Sequence, residues 1–301
     1  MNNLQDLADR LARGGSLHVA DGPAIVGTPD LIAVGALADE VRRQLHGVRT
    51  TFVRVLEVHV EAIPSALPPG ANPGELRIVG RPSSATQALE AVASARQLSH
   101  GSFPLSGFSL ADLVALEPSA SDLFASLARE GLEAVADLAV DGQGDAGAAV
   151  KRARDAGLTV ERLTVHGASA DPLSTVAAAL ELQRAVGGFR VFAPLPRTLS
   201  PLAPTTGYDD VKVVALARLL TRDIPSVQVD WPLYGPKLAQ VALTVGADDV
   251  DGVAAVDSGA LGARRSVLEE ITRNIRAAGL EPVERNGRHE VIGEPSRSGG
   301  P

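Results

Sequence analysis

The chain alternates short β-branched or apolar runs with longer segments whose apolar residues recur at helical spacing. The first strand-like run spans 49–60, and similar runs return as far as residue 255, each followed by a helical segment. About eight such units predict parallel strands closed into a TIM-type barrel. An open doubly wound sheet is the alternative, but no glycine-rich phosphate-binding fingerprint follows the first strand.

The expected fold class is therefore α/β: a TIM-type (β/α) barrel, complete or incomplete, with an N-terminal helical extension and a small C-terminal hairpin. The extension is predicted over residues 1–48, including a turn at Asp21-Gly-Pro, and the barrel core over 49–262. Residues 263–293 are predicted as a helix and hairpin packed on the barrel. The tail, 294–301, is predicted to be disordered.

Composition narrows the function classes. Of 301 residues, 45% are hydrophobic and 3% aromatic, so the core must be built from aliphatic side chains. A net charge of −8 argues against nucleic-acid binding, which needs clustered Lys and Arg. There is neither a long apolar span nor a signal-peptide pattern, so we expect no membrane association and a cytoplasmic location. The absence of cysteine excludes disulfides, thiolate metal sites and an ordinary iron–sulfur cluster.

A Gly-Pro-Lys-Leu-Ala-Gln-Val-Ala-Leu motif at 235–243 follows a late strand and opens a helix. Together with other segments it resembles the radical S-adenosylmethionine (SAM) enzymes of the aminofutalosine synthase, deazaflavin synthase and cyclic dehypoxanthinyl futalosine synthase type. The segments that carry the resemblance are Thr28–Asp39, Leu45–Gly47, Thr51–Arg54, Glu75–Gly80, Thr205–Asp210, Ala215–Leu220, Gly235–Leu243 and Pro282–Arg285. The resemblance implies a (β/α) barrel whose chemistry lies at the carboxyl ends of the strands.

The sequence departs from that family where the cofactor should bind. The resemblance implies a Cys-x3-Cys-x2-Cys loop after the first strand, holding a four-iron cluster that chelates SAM. Here the connection is reduced to Glu61–Gly74 and has no cysteine. An expected Gly-Gly pair reads Gly80-Arg81-Pro82, and an expected Gly-His-x-Glu reads Gly167–Ala170. We therefore predict a degenerate member with no radical chemistry, no cofactor and no bound metal.

Polar residues predicted at the barrel mouth are the candidate ligand-binding set. They are His59, Glu61, Arg81, His166, Arg197, Asp230 and Trp231. Two histidines and an aspartate could hold a metal or perform acid–base chemistry, but no His-x-His or His-Glu-x-x-His spacing supports that. The alternative is that these side chains are solvated remnants of a lost pocket.

Residues of the family motif are a separate set: Gly235, Pro236, Lys237 and Gln240. Lys237 falls in a first helical turn, where the helix dipole disfavours a cation, so it could contact an anion or partner, or simply be solvated. Trp231 could stack on a substrate or pack under the Gly-Pro turn. The aspartates at 248, 249 and 251 are interpreted as a helix-to-strand turn.

Three functions remain open. The leading hypothesis is a catalytically inactive radical-SAM-like protein of futalosine-pathway menaquinone biosynthesis, acting as partner or stabilising subunit of an active homologue in a hetero- or homo-oligomer. A second is binding of a chorismate- or futalosine-derived ligand, with Arg81 and Arg197 as carboxylate partners. A third is a non-radical enzyme using His59, Glu61 and His166. No catalytic residue is assigned.

Overall fold

Eight parallel strands form a closed barrel in the computed structural model, which describes residues 4–117, 121–167, 171–198, 206–256 and 267–292. The strands pair in chain order, and β1 closes the ring by pairing with both β2 and β8. Their bounds are β1 Arg49–His59, β2 Glu75–Val79, β3 Leu105–Ser109, β4 Ala134–Ala139, β5 Arg162–Val165, β6 Val191–Pro196, β7 Ser226–Asp230 and β8 Asp249–Ala254. The predicted TIM-type barrel is confirmed, and it is closed.

Helices connect the strands along the outside of the barrel. The helices of the described ranges are α1 Leu4–Ala12, α2 Gly22–Gly27, α3 Leu31–His46, α4 Ala85–Ser99, α5 Leu110–Leu116, α6 Ser121–Glu130, α7 Ala146–Asp155, α8 Pro172–Ala185, α9 Gly207–Leu220, α10 Trp231–Leu243 and α11 Val267–Ala277. No helix in these ranges is long and apolar enough to cross a membrane.

Polar capping residues explain where most barrel helices begin. Each cap accepts a hydrogen bond from the backbone N–H three residues later, which satisfies a donor that the first helical turn leaves free. These caps are Ser84, Ser109, Asp145, Asp171, Thr206 and Asp230. The chain therefore turns from strand to helix at positions marked in the sequence.

The N-terminal segment matches the predicted helices with one correction. Asp30 caps α3 through the N–H of Ala33, as its position predicted. The predicted Asp21-Gly-Pro turn is wrong, because Gly22 and Pro23 begin the short helix α2. Proline fits there, since its missing N–H would be unpaired in a first turn anyway.

The C-terminal hairpin does more than close the fold. Strand β9 (Glu281–Arg285) pairs in parallel with residues 49–53 of β1, directly below the stretch that pairs with β2. The return arm makes an isolated antiparallel bridge between Arg285 and Val291. The barrel thus has a ninth strand at its amino-terminal end. The predicted tail, 294–301, lies outside the described residues.

The β1–β2 connection contains no helix. Residues 60–74 form turns and extended chain, and hydrogen bonds from Asn72 N–H to Ala255 and from Gly74 N–H to Arg54 fix its course. Ile63 and Leu67 pack against the core from this loop. The barrel therefore stays closed although one of its usual outer helices is absent.

The two faces of the barrel wall differ in chemistry. Outward side chains such as Leu76 and Ile78 pack against Ala88 and Val92 of α4 in one continuous apolar cluster. Inward positions carry charges, among them Arg77, Arg162, Asp249 and Asp251, all buried. Aliphatic side chains usually fill a TIM barrel, so this interior is unusually polar.

Candidate ligand site at the barrel mouth

A cavity of about 310 Å³ opens at the carboxyl ends of strands β1 to β6. Four guanidiniums, one imidazole and three carboxylates line it. The charged lining residues are Arg77, Arg81, Arg162, Arg197, His166, Glu57, Asp112 and Asp137. Such a size, and a polar wall of both signs, suit a small charged molecule.

Beneath the cavity, Arg77 links two buried carboxylates. It donates to both oxygens of Glu75 at 2.8 and 3.0 Å and to both oxygens of Asp251 at 2.8 and 2.9 Å. Arg162 donates to Asp251 from the opposite wall. Burial alone would raise the pKa of Asp251, but the charges of Arg77 and Arg162 hold it well below its ordinary value.

A second buried network lies lower in the barrel. Arg285 of β9 donates to both oxygens of Asp249 at 2.7 and 2.6 Å, and Gln228 donates to the same carboxylate at 2.6 Å. Burial opposes ionisation of Asp249, but the charge of Arg285 and its hydrogen bonds lower the pKa of this group. The lower interior is therefore occupied by paired charges, and the free space lies at the mouth.

Three polar atoms at the mouth are buried and have no hydrogen-bond partner. They are Nε of Arg197, Oδ1 of Asp137 and Nε2 of His166. The histidine nitrogen is 3.5 Å from Asp137 Oδ1, and Arg197 Nε is 3.9 Å from Asp137 Oδ2. These distances allow charge attraction but no good hydrogen bond. Buried polar atoms that lack a close hydrogen bond are costly.

Arg197 is held loosely at the centre of the mouth. Its Nη2 lies 3.7 Å from Asp230 Oδ2 and 3.6 Å from Asp251 Oδ2, so the guanidinium is shared among carboxylates without a bidentate contact. Its side chain is 26% exposed. An incoming carboxylate could therefore pair with it without first breaking a short ion pair.

Protonation at the mouth follows from these contacts. The interaction with Asp137 raises the pKa of His166 against the effect of burial. Burial would raise the pKa of Asp137, but His166 and Arg197 outweigh it and lower that pKa. On the other wall, burial raises the pKa of Glu57 and of Asp230, and the nearby Asp251 charge adds to both shifts. The charged forms of His166 and Asp137 therefore stabilise each other, whereas burial disfavours the charged forms of Glu57 and Asp230.

The seven candidate residues do not form one site. Arg81, His166 and Arg197 line the mouth cavity, whereas the other four do not. Arg81 is 71% exposed on the rim, 3.3 Å from Asp112. His59 and Glu61 form a separate exposed pair 3.9 Å apart. No contact joins this pair to His166 within the described ranges, so nothing favours their joint use in catalysis.

Asp230 and Trp231 serve the turn from β7 into α10. Asp230 caps the helix through the N–H of Leu233 and stands behind Arg197. Trp231 is 7% exposed and belongs to the apolar core, which supports packing over ligand stacking.

The family motif builds a kinked helix start. Gly235 has φ 75° and ψ 163°, which breaks α10, and Pro236 restarts it. Only glycine reaches that conformation without strain. Lys237 is exposed and Gln240 half-buried on the outer helix. None of the four motif residues lines the mouth cavity.

Most of the charged residues that shape the site are not among the candidates predicted from the sequence. The missing residues are Glu57, Arg77, Asp137, Arg162 and Asp251. One signal was available: Glu75 and Arg77, like Asp249 and Asp251, alternate with apolar residues inside strands, which places them on one face. The interpretation of 248–251 as a turn is wrong, because Asp249 and Asp251 lie within β8 and point into the barrel.

Residues 195–298 match the family described as the CofH/MqnC C-terminal region. The chain is 36% identical over 135 residues to aminodeoxyfutalosine synthase of Streptomyces coelicolor, an alignment covering 38% of this chain and 35% of that protein. It is 38% identical over 127 residues to 5-amino-6-(D-ribitylamino)uracil–L-tyrosine 4-hydroxyphenyl transferase of Methanothermobacter thermautotrophicus, covering 37% and 34%. These alignments thus span about a third of each relative.

Solved structures support the same class of fold. A methylornithine synthase (PylB) covers 92% of this chain and 97% of its own, with a TM-score of 0.63 and 14% identity. The FeFe-hydrogenase maturase HydG from Carboxydothermus hydrogenoformans covers 93% and 79%, with a TM-score of 0.65 and 12% identity. The chain is a TIM-type barrel that shares its fold with these two proteins. Its predicted resemblance to the aminofutalosine and deazaflavin enzymes is confirmed.

The residues present do not fit the iron–sulfur cluster and SAM that the resemblance implies. The chain has no cysteine to supply thiolates, and the β1–β2 connection has no helix behind it. No group of three metal-binding side chains occurs in the part of the chain that the structure describes. At Gly80, where the cofactor is expected to approach, a Cβ would lie 2.7 Å from Nε2 of His59. The side chain of His59 therefore lies directly beside Gly80.

Proposed function

We propose that this protein is a catalytically inactive radical-SAM-like barrel that binds a small carboxylate-bearing metabolite at its mouth. Its setting would be menaquinone biosynthesis by the futalosine route, as the relative named aminodeoxyfutalosine synthase suggests. The residues at the cluster position do not fit an iron–sulfur cluster, which supports the loss of radical chemistry. The charged cavity at the barrel mouth supports the retention of ligand binding.

One observation carries the binding proposal: the side chains of Arg197, Asp137 and His166 line the same cavity, and their mutual contacts, at 3.5 and 3.9 Å, are too long for good hydrogen bonds. A mouth that served only as scaffold would gain from closer pairing of these groups, since buried polar groups without good hydrogen bonds are costly. A ligand carboxylate could pair with the partly exposed guanidinium of Arg197, and a ligand hydroxyl or amine could contact the side chains of Asp137 and His166. Chorismate- or futalosine-derived molecules carry such groups.

A thermal-shift titration of the whole protein with chorismate and aminodeoxyfutalosine tests this. A ligand at about 100 times its Kd stabilises the folded state by about 2.7 kcal/mol, which is readily seen as a raised Tm. Arg197→Gln should abolish the shift, and the exposed Arg43→Gln should keep it. Absence of any shift with both ligands, or an equal shift in the Arg197 variant, would overturn the proposal.

Anaerobic reconstitution with iron and sulfide tests the inactive state separately. We expect no protein-bound iron–sulfur absorption, because no thiolate is available. A stable cluster that cleaves SAM would refute this part and leave the ligand measurement untouched.

A second candidate function is that of a partner or stabilising subunit for an active homologue. It is favoured by three exposed apolar side chains on the outer helices, those of Val26, Ile32 and Tyr208, which are 43%, 86% and 44% exposed. Tyr208 donates to the carbonyl of Pro29, and Lys212 donates to those of Val26 and Thr28, so these segments are held together. Exposed apolar patches often mark interfaces.

Co-purification with the intact homologue from the native host tests this candidate. We expect capture by the wild type and loss with Ile32→Glu, while Val241→Glu, on a 46% exposed residue of α10, keeps it. Capture that is equal in both variants, or absent throughout, would count against the partner role.

A further inference from the structure

A small cavity lies inside the barrel, between the two buried charge networks. Its volume is about 40 Å³, against about 310 Å³ for the cavity at the mouth. Arg77 and Arg162 of the network beneath the mouth line it, and so do Gln228 and Arg285 of the lower network. A water molecule needs roughly 10–15 Å³ of such space, so the interior has room for about two or three.

Gln228 presents an unpaired acceptor at this cavity. The residue is 2% exposed, and its Oε1 is buried without a hydrogen-bond donor among the described residues. The other amide atom, Nε2, donates to Asp249 at 2.6 Å. Burial opposes ionisation of Asp249, but Arg285 lowers its pKa, so this carboxylate is charged and only accepts hydrogen bonds. The amide therefore cannot be turned round to place its oxygen against Asp249.

Arg162 brings unused donors to the same cavity. Its Nε donates to the carbonyl of Ala136, and its Nη1 donates to Asp251. Its Nη2 donates to no acceptor within the described ranges, although the residue is only 8% exposed. A guanidinium has five N–H donors, so Arg162 has donors left for a further partner. The interior therefore combines an unpaired acceptor from β7 with spare donors from β5.

The charges around the cavity favour a neutral occupant. A cation would lie beside the guanidiniums of Arg77, Arg162 and Arg285. An anion would meet the amide oxygen of Gln228 and the carboxylate of Glu75. Either ion would also lose its hydration in a space this small, which is costly for a charge. Water carries no net charge and both donates and accepts, so it suits both kinds of unpaired group.

We propose that this cavity binds water, and that the bound water connects the amide oxygen of Gln228 with the guanidinium of Arg162. Water donates to the first group and accepts from the second, which gives both the partners that buried polar groups need. The network around Asp251 and the network around Asp249 thereby form one hydrogen-bonded system along the barrel axis. This site does not depend on the ligand proposed for the mouth.

Two measurements on the whole protein test the site. A high-resolution crystal structure should show ordered water at roughly 2.5–3.0 Å from Oε1 of Gln228. A crystal soaked in bromide should show no anomalous scattering in this cavity. In solution, the relaxation dispersion of oxygen-17 water should report long-lived internal molecules. A cavity without water density, or one that holds bromide, would overturn the proposal.

Three variants decide whether the long-lived water belongs to this cavity. Gln228→Leu removes the acceptor at similar volume, while Asp249 keeps both hydrogen bonds from Arg285. The dispersion amplitude should fall by at least one water molecule per protein. Ala134→Val adds bulk at a residue that lines the cavity, removes no polar group and should also lower the amplitude. Gln97→Leu, on the exposed face of α4, is the matched control and should keep it.

The comparison stays decisive if one variant does not fold. Ala134→Val then stands in for Gln228→Leu, and the crystal structure of the wild type needs neither. An amplitude equal to that of the wild type in every folded variant at the cavity would contradict the proposal, as would an equal fall in Gln97→Leu.

Discussion

Replacing Arg77 by methionine tests whether the charged barrel interior holds the fold together. Arg77 is 4% exposed and makes four hydrogen bonds to Glu75 and Asp251. Without it, Asp251 keeps Arg162, but Glu75 keeps only the hydroxyl of Ser106. Removing one partner of a buried ion pair costs about 3–5 kcal/mol, because the other charge stays buried without compensation.

The assay is urea unfolding of the variant at neutral pH, with the slope of the transition checked against the wild type. Arg43→Met is the control, since Arg43 is 43% exposed and pairs with Asp39 on the surface. Exposed pairs contribute less than about 1 kcal/mol. Arg77→Met/Glu75→Gln should recover part of the loss, because it removes the orphaned charge.

Acidification gives an independent check with a definite sign. In the wild type the pKa of Glu75 and that of Asp251 lie below their ordinary values of 4.5 and 3.8, so the network stabilises above those values and its contribution falls as the pH drops below them. In Arg77→Met, burial without the arginine should raise the pKa of Glu75 above 4.5, so the variant gains stability as it is acidified from neutral pH towards 4.5. The difference in the free energy of unfolding between wild type and variant should therefore shrink. Equal losses for Arg77→Met and Arg43→Met, or a difference independent of pH, would refute the reasoning.

Other predictions concern single groups. Because the pKa of His166 is raised, its contribution to the stability of the fold is present below the ordinary value of 6.5 and is lost as the pH rises through the pKa of the folded state. Asp137→Asn should lower the pKa of His166 in an NMR titration. An unchanged pKa would contradict the contact between the two side chains. Gly246→Ala should lower the Tm more than Gly14→Ala: both have positive φ, but a Cβ at 246 meets a buried arginine at 2.7 Å whereas one at 14 meets nothing within 4 Å. Trp231, the only tryptophan, should fluoresce as a buried indole and shift to the red on unfolding; solvent-like emission from the native protein would contradict its burial.

Local pattern was a good guide to the secondary structure. The predicted helix at 110–116 matches α5, and the predicted first strand, 49–60, differs from β1 by one residue. These elements carry strong periodicity and are bounded by caps such as Ser109, so neighbouring residues alone specify them. The ends of elements that lack such signals are predicted less accurately. For example, the strand predicted to begin at Leu158 begins at Arg162.

The candidate site could be predicted only in outline. Parallel strands expose their carboxyl ends together, so His166 and Arg197 were expected at the mouth and both line its cavity. Their partner Asp137 was missed, because a charged residue inside a mostly apolar run gives no sign of the distant side chains it will meet. The candidate role of all seven predicted residues stays a prediction, as do the domain bounds, the oligomer and the cytoplasmic location.

The sequence by itself determined the barrel, the resemblance to futalosine- and deazaflavin-type enzymes, and the lack of thiolates for a cluster. These follow from periodicity, motifs and composition, which are properties of neighbouring residues or of the whole count. Only the tertiary structure decided that the barrel closes without its first outer helix, that arginines 77, 162 and 197 converge on Asp251, and that β9 of the C-terminal hairpin pairs with β1 at the opposite end. Those features depend on contacts between residues that are far apart in the chain. Whether such residues are buried and which charges they pair with are determined only when the chain folds.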